Sequence, residues 1–226
     1  VKHISTQLSE DQILKFQRAL SSLKIELSAR MLEQFQIYLS QILDWNKRIH
    51  LVSKSDAQPE RLLRHFVDSL TIFEAIQIPQ KANLLDLGAG AGFPSIPIKI
   101  VRDDVNLTLV ESTRKKSLFL QKLVKDMELR NVMVINQRAE ELLKRPDYKE
   151  KSDVVTAKAL GKLKDTIELA ASFLKPRGLL IAYKGEKVEE EIKEIKGKDF
   201  LINKRTLIEI PDFDLKRTLV VLEKIA

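Results

Sequence analysis

The stretch Leu84-Leu85-Asp86-Leu87-Gly88-Ala89-Gly90-Ala91-Gly92-Phe93 has the residue types and spacing of a ligand cradle. An apolar run carries one acid, Asp86, then breaks into a loop whose alternate residues, Gly88, Gly90 and Gly92, lack a Cβ. Glycine lets the backbone turn sharply and lie close against a ligand. Such a loop hands the chain to a helix N-terminus, where backbone N–H groups have no intrahelical partner. A nicotinamide-binding loop requires G-x-G-x-x-G. Counted from Gly88, the third position of that pattern falls on Phe93, so the spacing argues against that cofactor. The plainer reading is a glycine-rich turn of an ordinary α/β protein.

A second acid narrows the choice. Asn106-Leu107-Thr108-Leu109-Val110-Glu111 is a strand pattern ending in a carboxylate, about twenty residues past the loop. In nucleotide-binding sheets an acid at the end of the second strand holds ribose hydroxyls. Glu111 alone could simply end a strand; at this distance from the loop it points to a nucleoside. The D-x-G-x-G-x-G spacing resembles the first motif of Rossmann-like S-adenosylmethionine (AdoMet) methyltransferases.

The elements that must place these residues are legible as two regions. Residues 8–77 read as helices, from Leu20, Leu23, Leu27, Met31, Phe35, Tyr38, Ile42 and Trp45 at helical spacing. A further helical run spans 58–76. Ile78-Pro79-Gln80-Lys81 breaks the pattern, so a helical extension over 1–80 and a methyltransferase-type domain over 81–226 are expected. Beyond it, candidate strands 83–87, 106–111, 131–136, 153–157, 178–183, 203–209 and 216–224 alternate with candidate helices 94–102, 114–128, 138–144, 161–174 and 186–195. Alternation of this kind predicts a parallel α/β sheet covered on both faces. Only Pro211-Asp212-Phe213-Asp214 separates the last two of the seven strands, which predicts an antiparallel final strand.

Composition bounds the chemistry. The 226 residues contain no cysteine, which removes disulfides, thiolate metal sites and the cysteine adduct of pyrimidine C5 methylation. His3, His50 and His65 lack metal-ligand spacing, so no metal is expected. The start of the sequence, Val1-Lys2-His3-Ile4-Ser5, lacks the apolar core of a signal peptide, and no run is long enough to span a membrane. A cytoplasmic monomer is expected. Net charge is +7 with a pI near 9.4, and cations occur in runs: Arg114-Lys115-Lys116, Lys144-Arg145, Lys158 with Lys162 and Lys164, Lys175 with Arg177. These suit a polyanion, or a solvated lysine-rich surface. The Lys187–Lys198 stretch reads as a solvated helix face.

Several motifs then occur in one order: Trp45-Asn46-Lys47, Leu51-Val52-Ser53, Arg64-His65-Phe66-Val67-Asp68-Ser69, Gly92-Phe93-Pro94-Ser95-Ile96-Pro97, Glu111-Ser112, Arg138-Ala139-Glu140, Lys184-Gly185 and Arg217-Thr218-Leu219-Val220-Val221. Together, from about residue 25 to 224, they resemble the bacterial 16S rRNA guanine-N7 methyltransferases, also called the glucose-inhibited division protein B family. The resemblance implies AdoMet as cofactor and 16S rRNA as substrate, naked or in the small subunit. It implies that Gly88 and Phe93 contact the cofactor, that Asp86, Gly90 and Gly92 shape the loop, and that Glu111 binds the ribose. Ala139 and Glu140 would flank the adenine, although an acidic first helical turn is the simpler account. Lys158, a further cofactor candidate, stands where the family carries arginine; lysine keeps the charge but loses the planar fork. His50 replaces the family's usual asparagine. Arg64, His65, Lys184 and Arg217 are substrate candidates, with Arg64, His65 and Asp68 equally able to brace the helices against the core.

Guanine N7 offers a lone pair and no proton, so the implied reaction needs no general base and no catalytic side chain is assigned. Orientation carries the chemistry, at roughly 7–11 kcal/mol. In an A-form helix N7 lies in the deep, narrow groove, so the base must be unpaired or turned out. A small-molecule methyltransferase and a non-catalytic AdoMet- or RNA-binding regulator are the alternatives.

Overall fold

The computed structural model describes residues 6–185, 188–195 and 199–225; His3 and part of the Lys187–Lys198 stretch lie outside them. Four helices come first: α1 (Glu10–Ser22), α2 (Ala29–Asn46), α3 (Pro59–Leu70) and α4 (Ile72–Ala75). The α1 start is set by a capping box, in which Ser9 and Gln12 satisfy each other's backbone N–H groups. Ser28 caps α2 through the Met31 N–H. The helical run expected over 58–76 is interrupted at Thr71, whose hydroxyl donates to the Asp68 carbonyl at 2.6 Å. That bond competes with the helical ladder and splits α3 from α4.

The remainder alternates: β1 (Asn83–Leu87), α5 (Ser95–Val101), β2 (Asn106–Val110), α6 (Arg114–Asp126), β3 (Val132–Ile135), α7 (Ala139–Leu142), β4 (Ser152–Lys158), α8 (Leu163–Ala171), β5 (Leu174–Lys184), α9 (Val188–Lys193), β6 (Phe200–Ile210) and β7 (Leu215–Lys224). The strands form one seven-stranded sheet in the order β3-β2-β1-β4-β5-β7-β6. β7 runs antiparallel to both of its neighbours, and the other pairings are parallel. This is the doubly wound layout expected from the alternation. β5 and β6 are longer than their apolar runs suggested. β6 pairs along its whole length with β7, through the polar residues Lys204 and Arg205 and past a register shift between Ile202 and Lys204.

Side chains alternate between two cores. Leu84, Leu107, Val154, Ile181, Leu219 and Val221 face α5, α6 and the first helices. Leu85, Val155, Leu180, Val220 and Leu222 face the side of α7, α8 and α9. α1, α2 and α3 thus share a core with the sheet. Its centre is aromatic: Phe66 lies 5.0 Å from both Phe35 and Tyr38 and 5.9 Å from Phe93 of the glycine loop. Pro94 precedes α5, and the Phe93–Pro94 peptide is cis. Strand order reverses between β1 and β4, where a crevice opens beyond the carboxyl ends of the strands. The register Leu87↔Ala157 sets Gly88 beside Lys158 there.

Because Phe66 joins the helices to the loop and is fully buried, Phe66→Ala leaves a cavity between them. The expected loss is about 3–5 kcal/mol in urea unfolding, within the range for buried Phe→Ala changes.

Candidate functional site

The glycine loop is built for close approach. Gly88 and Gly90 have φ of +69° and +56°, in the left-handed region. A Cβ on Gly90 would meet nothing nearer than 3.8 Å, so the space above it is open. One on Gly88 would stand 3.0 Å from Leu160 Cδ1, which closes the loop on its other side. The N–H groups of Gly88 and Ala89 both donate to the Val110 carbonyl at 3.0 Å, tying the loop to the end of β2.

Glu111 follows directly from that strand end. Its carboxylate accepts the Gly90 N–H at 2.9 Å and the Thr113 N–H at 2.7 Å, one on each oxygen. Each carboxylate oxygen can accept more than one bond, so acceptor capacity remains. Asn136, past β3, donates to the Glu111 and Ser112 carbonyls and holds this turn. Ala139 and Glu140 open α7. Glu140 also lines a cavity of about 410 Å³ together with Leu143, Leu160, Gly161 and Asp165. Loop, acid and cavity meet at the strand-order reversal, with Leu160 common to loop and cavity. These residues fit AdoMet: room over Gly90, a carboxylate for ribose hydroxyls, and an apolar and acidic recess alongside.

Asp86 lies under the loop with no exposure and faces the same side as Leu84. Thr156 Oγ1 donates to its carboxylate at 3.2 Å and lies 2.9 Å from Ser95 Oγ. Burial raises the Asp86 pKa to about 7, against the opposing pull of those hydroxyls and of Lys158.

Of the substrate candidates, Arg217 joins a buried ion network beside the loop. Asp68 of α3 receives a fork from Arg217 of β7, at 2.7 and 2.9 Å, and Lys158 of β4 at 2.8 Å. Those two cations hold the Asp68 pKa at about 2 although burial opposes them. Burial lowers the Lys158 amine, which stands over the Phe93 ring at 5.2 Å and the Tyr183 ring at 5.7 Å. His65 stacks on Phe93 at 5.2 Å. Arg64 instead donates to the Asp214 carbonyl at 2.9 Å. Lys184 spends its amine on Gly161 O and Glu191. Asp56, 3.6 Å from His65, was not a sequence candidate; its place in a polar loop gave no signal.

The cationic runs divide. Lys144, Lys164 and Lys175 pair with Glu141, Glu168 and Asp153. Arg114 and Lys115 lie exposed in the first turn of α6 and make no ion pair among the described residues. Among those residues no group of three or more His, Cys, Asp or Glu could hold a metal, and no helix is long and apolar enough to cross a membrane.

The family described as GidB, rRNA small subunit methyltransferase G, matches residues 31–220. The chain belongs to this family. Relatives carrying the name ribosomal RNA small subunit methyltransferase G include that of Lachnoclostridium phytofermentans, 35% identical over 93% of this chain and 88% of that protein. The Bacillus subtilis protein of the same name is 39% identical over 80% of this chain and 75% of its own. Solved structures share the fold. Precorrin-6y C5,15-methyltransferase from Geobacter metallireducens aligns at TM-score 0.55 and 15% identity, covering 71% of this chain and 88% of that one. A methyltransferase from Aquifex aeolicus described as SAM-dependent aligns at TM-score 0.53 and 16% identity, over 70% and 90% of the two chains. The family match takes in the loop, Glu111, Asp68 and Lys158, and ends after Arg217.

The raised Asp86 pKa has a testable sign. In the unfolded chain the group ionises near the ordinary aspartate value of 3.8, and in the folded protein at about 7. Between these values the unfolded state binds fewer protons, so stability from neutral Asp86 is complete below about pH 4 and lost as pH rises through 7. Asp86→Asn removes this dependence. Urea unfolding should show the stability gap between wild type and the variant narrowing or reversing from pH 5 to pH 8; a constant gap would count against a protonated Asp86.

Proposed function

We propose that the protein transfers the methyl group of AdoMet to N7 of a guanine in 16S rRNA. The observation that carries the reading is the bond from the Gly90 N–H to the Glu111 carboxylate, which joins the glycine loop to the acid ending β2. That junction lies inside a chain matched to a small-subunit rRNA methyltransferase family over residues 31–220.

Gly88, Gly90 and Phe93 would line the cofactor, Glu111 would accept its ribose hydroxyls, and Ala139 with Glu140 would flank the adenine. Asp86 and Gly92 act beneath, holding the loop. Bound AdoMet supplies an electrophilic sulfonium methyl. The protein's task is then to place the base edge in line with that methyl and exclude competing geometry. No proton has to leave N7, which accords with the state of the nearby acids: Asp86 is buried beneath the loop and Asp68 is committed to two cations. Lys158 and Arg217 act by holding that arrangement. Arg114 and Lys115 are the cations of this rim with charge to spare for phosphates, as are the exposed Lys54 and Arg61 on the other flank. The 16S rRNA, naked or in the small subunit, is the polyanionic partner that the basic balance favours.

Glu111→Ala removes the carboxylate that receives the ribose. Calorimetry should show AdoMet binding weakened by roughly ten- to a hundredfold, the usual scale for charge-assisted hydrogen bonds. An unchanged affinity would leave Glu111 as a loop brace only.

The product has its own signature. Methylation at N7 makes the purine cationic and open to reduction, after which aniline cleaves the strand. Small-subunit RNA treated with the protein and AdoMet should gain one borohydride- and aniline-sensitive site. Methyl incorporation without such a site would place the acceptor at another atom.

A further inference from the structure

His65 is held on two sides and keeps part of its ring exposed. Phe93 covers one face of its ring at 5.2 Å and 26°. Phe93 cannot retreat, because Tyr38 and Phe66 pack against it at 5.5 and 5.9 Å. At the ring edge, His65 Nε2 lies 3.6 Å from Asp56 Oδ2. That carboxylate is held in turn: Ser53 Oγ donates to it at 2.6 Å, and the Asp56 N–H donates back to Ser53 Oγ at 3.1 Å. The loop carrying Asp56 is pinned at its start by Asn46, whose side-chain oxygen accepts the Leu51 and Val52 N–H groups.

Bracing the helices does not call for this arrangement. Asp68, one turn along α3, already ties that helix to β4 and β7. The His65 side chain nonetheless keeps 28% of its surface exposed. Burial, with Lys158 acting in the same sense, lowers its pKa despite the opposing Asp56 and Asp68 carboxylates, so the ring is neutral at pH 7. A flat aromatic ring held from beneath by a residue of the glycine loop, with exposed cations at Arg61 one turn before it on α3 and Lys54 two residues before Asp56, suits a base turned out of its stack.

We propose that the open face of His65 is the stacking platform for the target guanine, and that Asp56 is the positioning residue that fixes the rotation of the ring. The proposal rests on the rRNA reading above. A base lying flat on the imidazole leaves N7 free at its edge, in its own plane. The platform selects planarity and not a particular hydrogen bond, so a phenylalanine serves in its place and an aliphatic side chain does not.

The test compares wild type with His65→Phe, His65→Leu, His65→Ala and Asp56→Ala. Filter binding of 16S rRNA transcript, calorimetry of AdoMet, and the KM and kcat for methyl incorporation are the readouts. The alanine and leucine variants should weaken rRNA binding or raise its KM by about tenfold, within the range of base–aromatic stacking. His65→Phe should recover most of that loss, Asp56→Ala should show a smaller one, and AdoMet affinity should stay unchanged throughout. Leucine performing as well as phenylalanine, or alanine at the wild-type level, would overturn the platform. If His65→Ala does not fold, the phenylalanine–leucine pair still decides, since both fill the site. If wild type itself gives no N7 product, the functional reading fails separately, while the phenylalanine–leucine difference in rRNA binding still judges the platform.

Discussion

The carboxylate of Asp68 is 2% exposed and accepts both arms of the Arg217 guanidinium while Lys158 stands 2.8 Å away. An isolated buried charge costs several kcal/mol, and removing one partner of such a pair leaves that cost uncompensated. Helix α3, the end of β4 and the start of β7 are therefore confined to one relative placement. α3 also carries Phe66 and His65, which contact Phe93. The position of the glycine loop against the helices thus depends on a pair of ions formed 149 residues apart in the chain.

The same cluster sets the electrical character of the crevice. Two cations meet one committed carboxylate, while the second acid, Asp86, is pushed toward its neutral form by burial. The interior beneath the loop consequently leans positive, and Glu111, itself buried, is the acid whose carboxylate meets the Gly90 N–H below the open space over that glycine.

Local patterns carried much of this into the sequence. The glycine spacing, the acid ending β2 and the strand–helix alternation each depend on residues close together, so the fold and the meeting of loop and acid were legible in the sequence. The hairpin of β6 and β7 was legible as well, because only a short turn joins its strands. Long-range pairings were not. Nothing near Arg217 indicates that it meets Asp68, and Lys158 read as one member of a basic run when its amine is turned inward. Asp56 sits among serines in a loop without periodicity, and only the fold brings it to His65. The full lengths of β5 and β6 were hidden for a related reason: pairing extends through polar residues once a neighbouring strand supplies the hydrogen bonds.

The strand order at the far edge bears on how a nascent chain reaches this state. β6 is synthesised before β7 yet lies outside it, so it cannot dock on β5 by itself. Until residues 215–224 emerge, β5 presents an unpaired edge, a template for wrong partners. The two strands must enter together as a hairpin, and their arrival brings Arg217 to Asp68. Until that hairpin is in place, α3 and the end of β4 lack the Arg217 arm of the ion network that aligns them. The crevice beside the glycine loop is therefore locked by a part of the chain synthesised long after the loop itself.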